Sequence, residues 1–281
     1  MSEQTSPGPV IHSKRRLLAA ASALAATGGL SACASPVRTA SGSAKKPVFL
    51  LVHGAWHGGW CWDRVATRLR ADGFRTFTPT QTGMGERAHL ISRNISMDMF
   101  VQDLQGVMES EELDDVIVVG HSFGGRSAAG LVDRMPAKVR HLVFLDSSLP
   151  EGNKSFLDLL PPESRAARLK AAEDSSGGVS IAVPDAGFFG LDNAADRAWV
   201  QRRLTPHPLS TYTTPLVLKN TIGNGRPVSF IRCTKPNFAF VDPSAAFARA
   251  QPGWGYFEIP TGHDAMVSAP DELTGLLKKF A

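Results

Sequence analysis

Residues 118–125 read VVGHSFGG, in which Gly120, Ser122 and Gly124 form the pattern G-x-S-x-G. The run before the serine, DVIVVGH (residues 115–121), is short, continuous and apolar, as expected of a strand buried on both faces. The run after it, GGRSAAGLVDRM (residues 124–135), suits a helix. A serine on a tight turn between strand and helix sits in strained backbone, and flanking glycines let the chain pass close on either side. The helix N-terminus behind it favours developing negative charge. Ser122 is therefore the candidate nucleophile, but a serine hydroxyl attacks poorly until a base takes its proton. That base must come from elsewhere in the chain.

Apolar runs like the one before Ser122 recur at PVFLLVHG (47–54), FRTFTPT (74–80), HLVFLDSS (141–148), VSFIRC (228–233) and YFEIP (256–260). Segments of helical character lie at 61–71, 96–109, 124–135 and 271–280. Strands alternating with helices pair in parallel through right-handed crossovers, which predicts a three-layer α/β fold with a mostly parallel sheet. Ligands bind such sheets at the carboxyl ends of the strands, where Ser122 falls. Between about residues 150 and 226 the alternation lapses into a segment rich in Ala, Leu, Arg and Pro. It reads as a helical cap inserted over that edge of a domain spanning 47–281.

The 281 residues are 43% hydrophobic, enough for a substantial core, and carry a formal charge of +4. Lys14, Arg15 and Arg16 against Glu3 give the first 33 residues +2, which leaves the remainder at only +2. With no long basic run, nucleic acid is excluded as a partner. The N-terminus, HSKRRLLAAASALAATGGLSAC, places a basic cluster, an apolar stretch and small residues in the order of an export signal. Its apolar part, residues 17–30, is shorter than the ~20 residues a spanning helix needs. LSAC (30–33) resembles the lipobox of bacterial lipoproteins, which implies cleavage before Cys33 and lipidation of that residue. Residues 34–46, ASPVRTASGSAKK, suit a tether. The expectation is an exported enzyme on the periplasmic side of a bacterial membrane, touching the membrane through its lipid anchor only. Paired arginines leave both the general and the twin-arginine export routes open. Cys61 and Cys233 sit in apolar surroundings that favour buried free thiols, although a pairing between them stays open, and no His/Cys cluster has metal-ligand spacing.

Several ordered motifs, LVHGAWHGGWCWDRV (51–65), PTQTGMGER (79–87), GHSFGG (120–125), FLDSSLPEG (144–152) and PTGHDAM (260–266), together resemble the α/β-hydrolase superfamily. The branch is the one that holds plant methyl-ester esterases, hydroxynitrile lyases and bacterial pyrethroid-hydrolase-like carboxylesterases. The resemblance implies oxyanion donors at the backbone N–H groups of Ala55 and Phe123. It also implies a base at His263, just after the last strand, in the chain order serine, acid, histidine. His53 and His57 are expected to shape the loop, and Trp56, Trp60 and Trp62 to wall the core and pocket. The acid is harder to assign, because the position these enzymes give it holds Lys235. Asp146, ending HLVFLD, is favoured, since some members of the superfamily take the acid from that earlier strand; Asp242 in FVDPS is second. Asp264 adjoins His263 and is badly placed to accept from the same ring.

These assignments imply a serine carboxylesterase acting on small to medium hydrophobic esters through an acyl-enzyme, with a small-molecule substrate and without metal or organic cofactor. Alternatives remain: hydroxynitrile-lyase-like chemistry, an amidase or lactonase, or an inactive lipid-anchored binding protein. Gly54 and Asp264 stand where the lyases carry threonine and lysine, which favours hydrolysis. Oligomeric state is not legible.

Overall fold

A computed structural model describes residues 45–281. The expected export signal, Cys33 and tether residues 34–44 lie outside the described residues. Eight strands follow in chain order: β1 (Val48–Val52), β2 (Thr76–Phe77), β3 (Val116–His121), β4 (Val139–Leu145), β5 (Ser180–Ile181), β6 (His207–Pro208), β7 (Val228–Cys233) and β8 (Gly255–Ile259). Six form one sheet in the order β2-β1-β3-β4-β7-β8, and all its pairings are parallel.

The apolar runs are continuous because both faces of this sheet are covered. Phe49, Leu51, Ile117, Val119, Val143, Leu145 and Ile231 face one core, and Val48, Leu50, Val52, Val116, Val118, Leu142, Phe144 and Phe230 face the other. This is period-two alternation with no polar side. Among the described residues nine helices cover the sheet and its edge: α1 (Asp63–Ala71), α2 (Met97–Ser110), α3 (Gly124–Arg134), α4 (Pro162–Ser176), α5 (Ala194–Gln201), α6 (Leu209–Thr213), α7 (Asp242–Ala250), α8 (Ala265–Ser268) and α9 (Pro270–Leu277). Residues of α1, α8 and α9 join the first core, and residues of α3 and α7 join the second. The α2 helix shows why its sequence folds so. Ser96 caps it by accepting from the Met99 N–H at 3.1 Å, and Met97, Phe100, Val101, Leu104 and Met108 repeat at helical spacing on its buried side.

Two features depart from the sequence reading. The segment between β4 and β7 carries α4, α5 and α6 but also the antiparallel pair of β5 and β6, each two residues long and too short to show a period in the sequence. A further helix, α7, makes the crossover that parallel β7 and β8 require. Its DPS start suits a helix-start turn in the sequence, but the helix that follows is not among the expected helical segments. No helix among the described residues is long and apolar enough to cross a membrane. Cys61 and Cys233 are both free and buried.

Candidate functional site

The carboxyl ends of β3, β4 and β8 deliver three side chains to one point. Ser122 follows β3 with φ +52°, a left-handed conformation disfavoured for any residue with a Cβ. Surrounding hydrogen bonds hold it there: its N–H donates to Leu145 O at 3.0 Å, and its carbonyl accepts from Ser147 Oγ at 2.6 Å and Gly125 N–H at 3.2 Å. A Cβ on Gly124 would lie 2.2 Å from His53 O, so the turn closes only on glycine at that position. At the end of β4, Asp146 is also left-handed, φ +41°, and fully buried.

His263 lies in the loop after β8. Its Nδ1 is 2.6 Å from Asp146 Oδ2 and its Nε2 is 2.8 Å from Ser122 Oγ. A ring nitrogen facing a carboxylate carries the proton, so Nδ1–H donates to Asp146 and Nε2 is left to accept from the serine hydroxyl. The other Asp146 oxygen accepts from Arg232 Nη1 at 2.6 Å and the Cys233 N–H at 3.1 Å. Phe238 stacks on the imidazole, 3.9 Å between ring centres.

The structure separates the two aspartates that the sequence left in competition. Asp242 points to Arg232, on the side away from His263, and its side chain is 53% exposed. Lys235 is exposed and its backbone N–H donates to Thr261 O. Asp264 turns from His263 to His57 Nε2, 3.0 Å away.

The backbone N–H groups of Ala55 and Phe123 both border the chamber over Ser122, and neither meets a protein acceptor among the described residues. His53 accepts from the Gln81 N–H at Nε2, 3.0 Å, and so donates from Nδ1 to Gly54 O, 2.8 Å. Burial lowers its pKa to about 4, which keeps it neutral and confines it to shaping the loop. A Cβ on Gly54 would fall 2.8 Å from Ser122 Cβ, so a threonine does not fit there without displacing the serine.

The chamber over Ser122 and His263 holds only about 40 Å³ and is walled by Trp56, Phe189, Tyr212 and Phe238 among others. It opens beside a groove of about 970 Å³ between α4 and α7. Ser148, Phe156, Arg168 and Phe240 line both. Ser148 Oγ is buried without a protein partner. No group of three or more side chains able to hold a metal ion occurs among the described residues.

Sequence reasoning missed two of these residues, Arg232 and Phe238, and the pairing of His57 with Asp264. Arg232 had a signal, a lone charge inside the apolar run VSFIRC. Phe238 and the His57–Asp264 pair had none, because their partners are distant in sequence.

Known proteins resemble this chain in sequence and in fold. The chain is 42% identical over 236 residues to a carbendazim-hydrolysing esterase of Nocardioides sp. (strain SG-4G), covering 80% of this chain and 96% of that one. It is 27% identical over 257 residues to methylesterase 10 of Arabidopsis thaliana, covering 83% and 91%. Among solved structures, an extracellular α/β-hydrolase from a Paenibacillus species superposes with TM-score 0.72 at 23% identity, over 84% of this chain and 99% of that one. Tomato methylketone synthase I does so with TM-score 0.68 at 21% identity, over 84% and 97%; both share the fold. The model of the alpha/beta hydrolase family matches residues 49–276, and the chain belongs to that family.

Proposed function

We propose that this protein is a serine carboxylesterase that hydrolyses small to medium hydrophobic carboxylic esters through an acyl-enzyme. The observation that carries the reading is the unbroken line of short hydrogen bonds from Asp146 through His263 to Ser122, 2.6 and 2.8 Å, ending beside two unengaged backbone N–H groups. His263 Nε2 takes the Ser122 proton as Oγ attacks the ester carbonyl, and the Ala55 and Phe123 N–H groups receive the oxygen as it becomes negative. The imidazolium, held by Asp146, then protonates the departing alcohol. Water, activated by the same nitrogen, releases the acid and restores Ser122. The esterase and methylesterase relatives support ester hydrolysis as the reaction class.

Chamber and groove together suit an ester with one compact half and one larger apolar half. The compact half fits the roughly 40 Å³ over Ser122, and the larger one the roughly 970 Å³ alongside. A fluorophosphonate probe and a panel of p-nitrophenyl and bulky aryl esters test the reading. Wild type is expected to label and to turn over the panel, and Ser122→Ala to lose labelling and to drop kcat by more than about 10³-fold. Labelling elsewhere, or hydrolysis surviving in Ser122→Ala, overturns it.

A further inference from the structure

We propose that the buried pair His57–Asp264 is a positioning device, which ties the loop presenting the Ala55 oxyanion donor to the loop presenting His263. The inference rests on the esterase reading above and concerns two residues that take no part in the proton transfers described there.

His57 and Asp264 are 207 residues apart in the chain, are 1% and 0% exposed, and meet at 3.0 Å. Both ring nitrogens of His57 face acceptors: Nε2 faces Asp264 Oδ2, and Nδ1 faces Ala55 O at 2.7 Å. Two donated hydrogen bonds need two ring protons, so the arrangement is an imidazolium against a carboxylate. Burial alone would lower the His57 pKa and raise that of Asp264, but each charge shifts the other's the opposite way, and the net direction is up for His57 and down for Asp264. Trp60 stacks on the ring with centres 5.3 Å apart, and Phe189 meets it edge-on at 4.9 Å, which keeps water from the pair.

A dry ion pair is a poor way to add stability, because desolvating two charges offsets most of their attraction and an apolar pair often serves as well. What distinguishes this pair is what it joins. Trp56, between Ala55 and His57, has φ +62°, a conformation disfavoured for so large a side chain. Its N–H reaches His207 Nδ1 only at 3.4 Å. The peptide that follows Ala55 is therefore strained, and His57 Nδ1 grips its carbonyl oxygen. On the other side, Asp264 is the neighbour of His263 in the chain and directly precedes α8. The Ala55 N–H and Ala55 O belong to successive peptides hinged at the Ala55 Cα; His53 Nδ1 holds the first through Gly54 O at 2.8 Å and His57 Nδ1 holds the second, so the two grips together set the direction of the Ala55 N–H. Without the pair, that peptide is free to relax and the donor to swing off line.

The test compares His57→Gln, Asp264→Asn and the double variant His57→Leu/Asp264→Leu with wild type. Rates are normalised to the sites that an end-point fluorophosphonate titration counts. Each single variant is expected to lower kcat about 10- to 100-fold with KM within about threefold, part of the 10²–10³-fold seen when an oxyanion donor is removed outright. Affinity for an alkyl trifluoromethyl ketone, whose serine adduct places an oxyanion in the same hole, should fall in parallel with kcat/KM. The leucine pair, which buries no charge, should fold and melt near wild type yet keep the low kcat, so the result does not depend on the single variants folding. A merely structural pair predicts lower melting temperatures with kcat per titrated site unchanged. That outcome, full kcat in the leucine pair, or ketone affinity unmoved while kcat falls overturns the proposal. Failure of the esterase reading is separate, since it shows as activity surviving in Ser122→Ala.

Discussion

Asp146 accepts hydrogen bonds from His263, Arg232 and the Cys233 N–H, and so carries its buried charge fully engaged. If it orients the imidazole, replacing it with asparagine keeps the size but presents an amide N–H or a neutral oxygen to Nδ1. The wrong tautomer of His263 is then favoured, and kcat should fall about 10³–10⁴-fold with little change in fold. Asp242→Asn, half exposed and bound to the far side of Arg232, should stay within about threefold of wild type. Side-by-side kcat measurements on both variants decide the matter, and equal losses in the two would remove Asp146 from its role. Ser122 and His263 were legible in the sequence because each closes a recognisable strand or loop, whereas Asp146 was favoured there but left in competition with Asp242. Arg232 was not legible, since its two carboxylate partners lie 86 residues before it and 10 after it.

At the scale of elements, legibility followed length. Strands such as β1 and β3 show as unbroken apolar runs because helices cover both their faces, and α2 shows as a repeat with a serine cap. By contrast β5 and β6 are two residues each, and their pairing depends on contacts made across α5. The groove between α4 and α7 was beyond reach for the same reason, since its walls come from segments some 80 residues apart, such as Leu160 and Phe240. Phe240 lines groove and chamber alike, is 50% exposed and has Arg168 over its ring at 5.5 Å. Truncating so exposed a side chain should cost little stability. Phe240→Ala is expected to keep kcat/KM for p-nitrophenyl acetate within about twofold, while a bulky aryl or long-chain ester loses about tenfold, the ~1.4 kcal/mol expected for part of a phenyl contact. Parallel losses on small and large esters would show that the groove does not hold the larger half.

Across the whole molecule, the buried histidines set how stability responds to acid. His53, His121 and His207 are each about 1% exposed. Burial lowers the first from 6.5 to about 4 and the other two well below 6.5; in the ion pair His57 is raised instead and Asp264 is lowered. For a base whose folded pKa is depressed, the unfolded chain binds the proton first. Its contribution to stability is therefore complete above about pH 6.5 and is lost as pH falls toward the folded value. The raised pKa of His57 gives stability that is complete below 6.5 and lost only on the alkaline side. The lowered pKa of Asp264 gives stability that survives until pH falls below 3.8 toward its folded value. Neither offsets the three neutral imidazoles between pH 6 and 4. Each proton taken up on unfolding is worth about 1.4 kcal/mol per pH unit, so three give a slope of about 4 kcal/mol per unit. Against a typical total of about 5–15 kcal/mol, that slope should remove a large part of the stability as pH falls below about 6.5. Urea midpoints measured from pH 7 to 4.5 should fall steeply below about 6.5, with calorimetric uptake of about three protons. His207→Gln should remove about one of them. Midpoints that stay level from pH 6.5 to 5 would mean that these imidazoles take up protons in the native state, through a water-accessible opening beside the strands that carry the site.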